Sequence, residues 1–164
     1  MQVLVWDMQP LKHLKRKKEN NMLLQEYRSF QVDKLLVEAS IKENKSLIVS
    51  GVLQRAEAKN QNGRVYPRDI LEREIETYMD GPVRENRAMG ELDHPESSVI
   101  NLQNVSHTIK KCWWDGDDVM GDIEILTTPA GNILKALFKA GITVGISSRG
   151  MGSVSENLAE GTVE

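Results

Sequence analysis

Two serines flanked by glycines are the residues of this chain best suited to covalent chemistry. Ser147 and Ser148 lie in the string Gly-Ile-Ser-Ser-Arg-Gly at residues 145–150, directly after an apolar run. A serine hydroxyl that attacks a carbonyl carbon needs a base to take its proton and donors to hold the oxyanion. The backbone N–H groups of a glycine-rich turn can form a small anion-binding concavity, so this string suggests the donors as well as the nucleophile.

A histidine about fifty residues upstream is the candidate base. His94 ends the string Gly-Glu-Leu-Asp-His and is followed by Pro95. Because a proline disfavours helical backbone in the residue before it, we expect His94 to be extended and stiff. The carboxylate of Asp93 favours the charged imidazole, which suits a base that must hold a proton briefly. The pair predicts a serine hydrolase; the alternative is a hydrogen-bonded turn histidine without a catalytic role.

The same features allow other interpretations. The glycine-rich string with Arg149 could bind a phosphate, although its glycine spacing fits neither a P-loop nor a dinucleotide-binding fingerprint. His107, inside a predicted strand, could orient His94 as a third member of the site, or it could be a buried structural histidine.

No metal or cofactor site is predicted. Cys112 is the sole cysteine, and its position in a predicted strand indicates a structural thiol. One cysteine and three histidines at unrelated spacings are a poor zinc ligand set. Asp115, Asp117 and Asp118 lack the regular spacing of a calcium loop, so we expect a solvated hairpin tip.

The elements that must position these residues follow from apolar periodicity and turn residues. The pattern predicts strands at 46–53, 88–92, 99–114, 118–126 and 143–146, with the last leading into the Ser-Ser-Arg turn. Helices are predicted from about residue 67 to 79 and from 129 to 140, while residues 34–43 fit either a short helix or a strand. The expected fold is α+β: a mainly antiparallel sheet or small barrel with two or three flanking helices.

The chain length and charge limit the remaining possibilities. A chain of 164 residues with 40% hydrophobic and 27% charged residues fits one globular domain, and no apolar run reaches the length of a bilayer span. Residues 1–21 carry five Lys/Arg and two Asp/Glu, and we expect them to be a disordered basic extension before a single domain at 22–164. The rest of the chain is acidic, which argues against nucleic acid as the main partner.

Four motifs together resemble a known family. Asn-Gly-Arg-Val-Tyr-Pro at 62–67, Gly-Glu-Leu-Asp-His-Pro at 90–95, the Trp113-Trp114 pair and Gly-Ile-Ser-Ser-Arg-Gly at 145–150 occur in this order in the prohead core proteases of tailed bacteriophages. The resemblance covers roughly residues 47–154. It implies a serine endopeptidase with a fold similar to herpesvirus assemblin. It also implies that His94 is the general base, that Ser147 is the nucleophile, and that Ser148, Arg149 and Gly150 form the oxyanion turn.

The resemblance further implies where and on what the protein acts. The family works in the host cytoplasm, inside the assembling prohead, and cleaves scaffold, core and major capsid precursor proteins after glutamate in an apolar-x-Glu context. It also cleaves itself, and this chain has three such triplets, which end at Glu26, Glu38 and Glu160. No cofactor or membrane is implied, nucleic acid is not an expected partner, and a homo-oligomer is left open.

The chain departs from the family at its end. Family members continue with further strands, and assemblin-like enzymes take their third catalytic residue from that region. We therefore expect this chain to lack C-terminal strands, so that either His107 substitutes or the orienting residue is missing. The alternative function is a non-catalytic shell or tube component with the same barrel.

Overall fold

The computed structural model describes residues 3–8, 22–30, 32–60, 63–93, 99–152, 154–157 and 160–163, with side chains described within 32–60, 63–93 and 99–148. His94 and the basic run at 12–18 lie outside the described residues. Within the described residues there are ten strands and three α-helices. The strands are β1 Val3–Met8, β2 Met22–Phe30, β3 Leu47–Arg55, β4 Arg64–Val65, β5 Met89–Leu92, β6 Val105–Asp115, β7 Asp118–Ile125, β8 Val144–Gly152, β9 Val154–Asn157 and β10 Glu160–Val163. The helices are α1 Lys34–Glu43, α2 Arg68–Tyr78 and α3 Pro129–Lys139.

Seven strands form the main sheet in the order β2-β8-β1-β5-β6-β7-β3. Neighbouring strands are antiparallel except β1 and β8, which run parallel. The two outer strands, β2 and β3, also approach each other, so the sheet curls toward a barrel. Strands β4, β10 and β9 form a second, small sheet. The predicted α+β class, with a mainly antiparallel sheet and three helices, is confirmed.

Local sequence signals explain the helix ends. The Asp33 side chain accepts a hydrogen bond from the Leu35 N–H at 2.8 Å, and Asn44 closes α1 in the left-handed conformation at φ 49°. These two caps settle residues 34–43 as a helix. At α3, Thr128 Oγ1 accepts from the Gly131 N–H at 3.0 Å and also donates to the Val105 carbonyl, which ties the start of α3 to the start of β6.

The sheet places its apolar residues by strand alternation. In β7 every second residue from Val119 to Ile125 is buried, and Ile123 and Ile125 are fully so. Helix α2 buries Leu71, Ile75 and Tyr78 at helical spacing, and these residues join the same core cluster. One continuous core therefore connects the sheet with its helices.

The hairpin of β6 and β7 is confirmed, with one boundary moved. Its tip lies where Asp115 pairs with Asp118, and Gly116 takes φ +58° there. The strand begins at Val105 rather than residue 99, because Asn101 instead starts a short 3-10 helix, Leu102–Asn104. The Asn101 side chain accepts a hydrogen bond from the Gln103 N–H at 3.1 Å, which favours that turn over an extended strand.

The structure corrects two predicted boundaries, one at the N-terminus and one at the end of β8. Residues 1–21 were expected to be a disordered extension; this is wrong for Val3–Met8, which form β1 between β8 and β5, while the rest of that segment lies outside the described residues. Strand β8 was expected to stop at residue 146, but it runs on through Gly152 because β1 and β2 pair with it along both sides. Among the described residues, no helix combines the length and apolar composition that crossing a bilayer requires.

Candidate functional site

Ser147 and Ser148 lie inside β8, away from its ends. Both are buried, with 1% and 3% of their surface exposed. On one side of β8, Ser147 pairs with Val5 and Ser148 with Trp6; on the other side, β2 runs antiparallel. The Ser147 Oγ is 3.4 Å from the Ser148 carbonyl oxygen, to which it donates a long hydrogen bond. The two serines are therefore held by the sheet rather than by a loop.

The sheet register separates the two serines. Because adjacent residues of a strand point to opposite faces, Ser147 and Ser148 project to opposite sides of the sheet. Ser147 lies in one cross-strand row with Glu91, each opposite Val5 of β1. The next row contains Ile146 and Leu92, each opposite Leu4. Only one of the two serines can therefore meet a base that approaches from a given face.

Strand β5 carries the chain toward His94. It ends at Leu92, one row from Ser147 and two strands across the sheet. Asp93 then takes φ +74°, a conformation that a non-glycine residue adopts rarely, so the chain leaves the strand direction abruptly. Strand β5, which precedes the predicted base His94, thus ends one cross-strand row from the predicted nucleophile Ser147.

Glu91 is a buried residue beside the candidate site that the sequence analysis did not select. Its side chain is fully buried, and its Oε1 accepts a hydrogen bond from the backbone N–H of Asn101 at 2.9 Å. The signal was present in the string Gly-Glu-Leu, where a charged residue occupies a short apolar strand. A buried carboxylate is costly without hydrogen bonds, so its presence there indicates a specific role.

His107 is also fully buried, in β6 opposite Gly90 of β5. Its Nδ1 lies 2.9 Å from the Ser106 Oγ, and its Nε2 has no hydrogen-bond partner in the described part of the chain. Burial lowers the pKa of His107 to about 3, because the charged imidazolium loses its hydration there. His107 is therefore neutral near pH 7, and its role as a third site residue stays a prediction.

The turn expected at residues 147–150 is a strand. Ser148, Arg149 and Gly150 continue β8 and pair with both β1 and β2. The glycines indicated a turn when read alone, but pairing on two sides overrides that local preference. Amides that bond to neighbouring strands do not form a ready anion pocket, so the anion-binding concavity is not present as a turn.

The other predicted chemical groups have structural roles. Burial, with a smaller contribution from the Asp122 charge, raises the pKa of Cys112 to about 12, which makes its thiol a poor nucleophile. At the hairpin tip, Asp118 accepts two hydrogen bonds from Arg55, at 2.6 and 2.7 Å, and Asp117 pairs with Arg68 at 3.3 Å. The side chains described here contain no cluster of three or more potential metal ligands.

Comparison with known proteins gives consistent matches. The chain is 35% identical over 112 residues to the prohead core protein protease of Enterobacteria phage T4, an alignment that covers 67% of this chain and 53% of that protein. The chain thus spans about half the length of this curated relative. The fold is similar to the solved bacteriophage T4 capsid assembly protease, with a TM-score of 0.75, 26% sequence identity, and coverage of 88% of this chain and 90% of that one.

A family model described as the prohead core protein serine protease matches residues 32–163. That span includes both serines, the Gly-Glu-Leu-Asp-His-Pro string, the three α-helices and the strands β3 to β10. Since the match covers most of the chain, this protein belongs to the prohead core protein serine protease family.

Proposed function

We propose that this chain is a serine endopeptidase of phage prohead maturation, with Ser147 as nucleophile and His94 as general base. The observation that carries the proposal is the register: Ser147 and the end of β5, from which the chain leads to His94, lie in adjacent rows of one sheet. Family membership adds the serine protease class.

The chain length between Leu92 and His94 is compatible with this pairing. Two residues of chain keep the His94 Cα within about 7 Å of the Leu92 Cα. Neighbouring strands are about 4.8 Å apart, so Leu92 and Ser147 lie about 10 Å apart across β1. An imidazole that reaches back over β1 can therefore approach the Ser147 hydroxyl on the face that Ser147 shares with Glu91.

Each residue of the site has a distinct role in the proposed reaction. His94 takes the proton from the Ser147 Oγ as that oxygen bonds to the peptide carbonyl carbon, and then delivers it to the leaving amine. Backbone amides of Ser148, Arg149 and Gly150 hold the oxyanion, which requires them to exchange a strand partner for substrate. His107, neutral and adjacent to β5, remains the candidate third member.

The burial of Ser147 indicates how substrate reaches it. With 1% of Ser147 exposed, a peptide must displace a flanking strand or loop before the hydroxyl can attack. β2 is the outer strand beside β8 and runs antiparallel to it. An extended substrate peptide can add to a sheet in the same way, so it could take the place of β2 beside β8. We propose that the structure represents a closed, resting site that opens transiently, so that a small reagent as well as substrate can reach Ser147.

The proposed substrates follow from the family resemblance of the sequence. We infer cleavage of scaffold, core and capsid precursor proteins after glutamate, inside the assembling prohead in the host cytoplasm. Of the three candidate self-cleavage triplets, one ends at Glu26 in β2, opposite Ser148, and another ends at Glu38 in α1. The third, ending at Glu160, falls partly outside the described residues. Self-cleavage after Glu26 would cut β2 between Glu26, which lies opposite Ser148, and Tyr27, which lies opposite Ser147.

A processing assay tests the function. The chain is co-expressed with scaffold and capsid precursors from its own phage, as wild type and as the Ser147→Ala, His94→Ala and Ser148→Ala variants. Processing is expected from wild type and Ser148→Ala but not from the other two. A non-catalytic shell component, which the two-sided pairing of β8 would also suit, predicts that Ser147→Ala leaves every processing event unchanged.

A further inference from the structure

Glu91 occupies an unusual position for a carboxylate. It lies in the four-residue strand β5, between β1 and β6, and none of its surface is exposed. The residues around it in the strand are Gly90 and Leu92, so the local sequence is apolar. Burying a carboxylate costs several kcal/mol unless hydrogen bonds compensate it. An apolar side chain would fill the same space without the cost of desolvating a carboxylate. The carboxylate therefore indicates a role beyond packing.

The hydrogen bond from the Asn101 N–H spans ten residues of chain. Asn101 is the residue that starts the 3-10 helix, and its own side chain caps that helix. Glu91 therefore joins the last turn before β6 to the last residues of β5. Between these two anchors the chain must leave β5 at Asp93, pass through residues 94–100 and return.

A shift in the register between β5 and β6 lies beside Glu91. Between Gly90 and Glu91 the pairing of β5 with β6 skips a residue, from His107 to Val105. Such a bulge re-aims the side chains that follow it, and bulges are frequent beside active sites. Two separate features, the bulge and the buried carboxylate, thus fix the direction in which the chain leaves β5.

We propose that Glu91 is a positioning residue: its buried carboxylate holds the Asn101 amide and so sets the placement of the chain segment that carries His94. This inference rests on the proposed function, in which His94 is the base for Ser147. Glu91 itself touches neither the substrate nor the reacting oxygen in this account. Because catalysis depends on sub-ångström placement of the base, loosening the segment lowers the rate more than it lowers stability.

Stability and rate can be separated by the choice of variant. Glu91→Met removes the acceptor, keeps a similar side-chain length and removes the cost of burying a carboxylate. Glu91→Gln keeps an acceptor oxygen but makes a neutral, weaker hydrogen bond. Asn101→Pro removes the donor at a backbone φ of −90°, which a proline ring reaches with a shift of about 25°. Asn101→Ala is its matched control, because it keeps the N–H.

The experiment measures the rate at which a fluorophosphonate labels Ser147 in the full chain, together with the free energy of unfolding in urea. We expect Glu91→Met and Asn101→Pro to label about 10²-fold more slowly than wild type while remaining folded. Glu91→Gln should recover most of the rate, and Asn101→Ala should label near the wild-type rate. The double variant Glu91→Met/Asn101→Pro should label no more slowly than the slower of the two single variants, because both changes remove the same Glu91–Asn101 hydrogen bond.

The outcomes distinguish this inference from the proposed function. If wild type labels at Ser147 and the folded Glu91→Met and Asn101→Pro variants label equally fast, the positioning role is overturned alone. If wild type does not label at Ser147, the proposed function fails and this inference fails with it. If Glu91→Met does not fold, the comparison of Asn101→Pro with Asn101→Ala decides. Equal labelling rates of these two variants overturn the inference, and much slower labelling of Asn101→Pro supports it.

Discussion

Glu91 of β5 and Ser147 of β8 lie in the same cross-strand row, each opposite Val5 of the strand between them. Two strand spacings separate their Cα atoms by about 10 Å. Both side chains are buried and project to the same face of the sheet. The candidate nucleophile is therefore held on a strand inside the sheet, which fixes it more rigidly than a glycine-rich loop would.

Burial of the His107 imidazole predicts that the free energy of unfolding falls in acid. Its pKa is about 3 in the folded chain against 6.5 ordinarily, so the unfolded chain binds a proton that the folded chain does not. The stability is therefore complete above pH 6.5 and is lost as the pH falls from 6.5 toward 3. The slope from this one group is about 1.4 kcal/mol per pH unit. Urea unfolding at a series of pH values measures it.

The His107→Gln variant isolates that contribution. Glutamine does not titrate and can still bond the Ser106 hydroxyl, so the mean slope between pH 6.5 and 5 should become smaller by about 1 kcal/mol per pH unit. Exposed carboxylates titrate mainly below this window and are the same in both chains. An identical slope in wild type and variant would show that His107 is accessible to protons in the folded state.

Gly131 lies where α3 closely approaches the backbone at the start of β6 and just after β7. A Cβ at this position would lie 2.0 Å from the Leu126 carbonyl oxygen and 3.0 Å from that of Ser106. Because both obstacles are backbone atoms, Gly131→Ala should lower the free energy of unfolding by about 2–3 kcal/mol. Urea denaturation measures the loss. The same change would shift β6 near His107.

Gly116→Ala is the control for that substitution. Gly116 has φ +58° and no atom within 4 Å of the added Cβ, so only backbone strain, about 1 kcal/mol, opposes the change. If Gly131→Ala is no more destabilising than Gly116→Ala, α3 does not approach the ends of β6 and β7 as closely as the structure has it.

The thiol of Cys112 should be inert in the folded chain. Burial raises its pKa to about 12, so almost no thiolate exists at pH 8 and reagent cannot reach it. We expect no alkylation by iodoacetamide over an hour in buffer and complete alkylation in denaturant, measured by intact mass. Rapid alkylation of the native chain would contradict this burial and would reopen the possibility of a cysteine nucleophile.

Local signals were sufficient for most elements of the fold. Thr128, Pro129 and Gly141 mark the ends of α3, and the alternation in β7 marks a strand with one buried face. These features depend on residues within a few positions of one another, which a sequence pattern displays directly. The hairpin tip at Gly116 was predictable for the same reason.

Long-range pairing was what the sequence could not reveal. Strand β8 continues through its glycines only because β1 and β2, more than a hundred residues away in sequence, pair along both its edges. Strand β1 is six residues long and precedes a basic run, so nothing local distinguished it from an extension. The Glu91–Asn101 hydrogen bond was equally hidden, since its meaning depends on burial.

Labelling of the chain with a fluorophosphonate, followed by peptide mass spectrometry, tests the central claim most directly. The account predicts one modified residue, Ser147, with labelling abolished by Ser147→Ala and by His94→Ala. It also predicts labelling retained in Ser148→Ala, because that serine projects to the opposite face. Modification at Ser148, or undiminished labelling of Ser147→Ala, would contradict the assignment of Ser147 as the nucleophile.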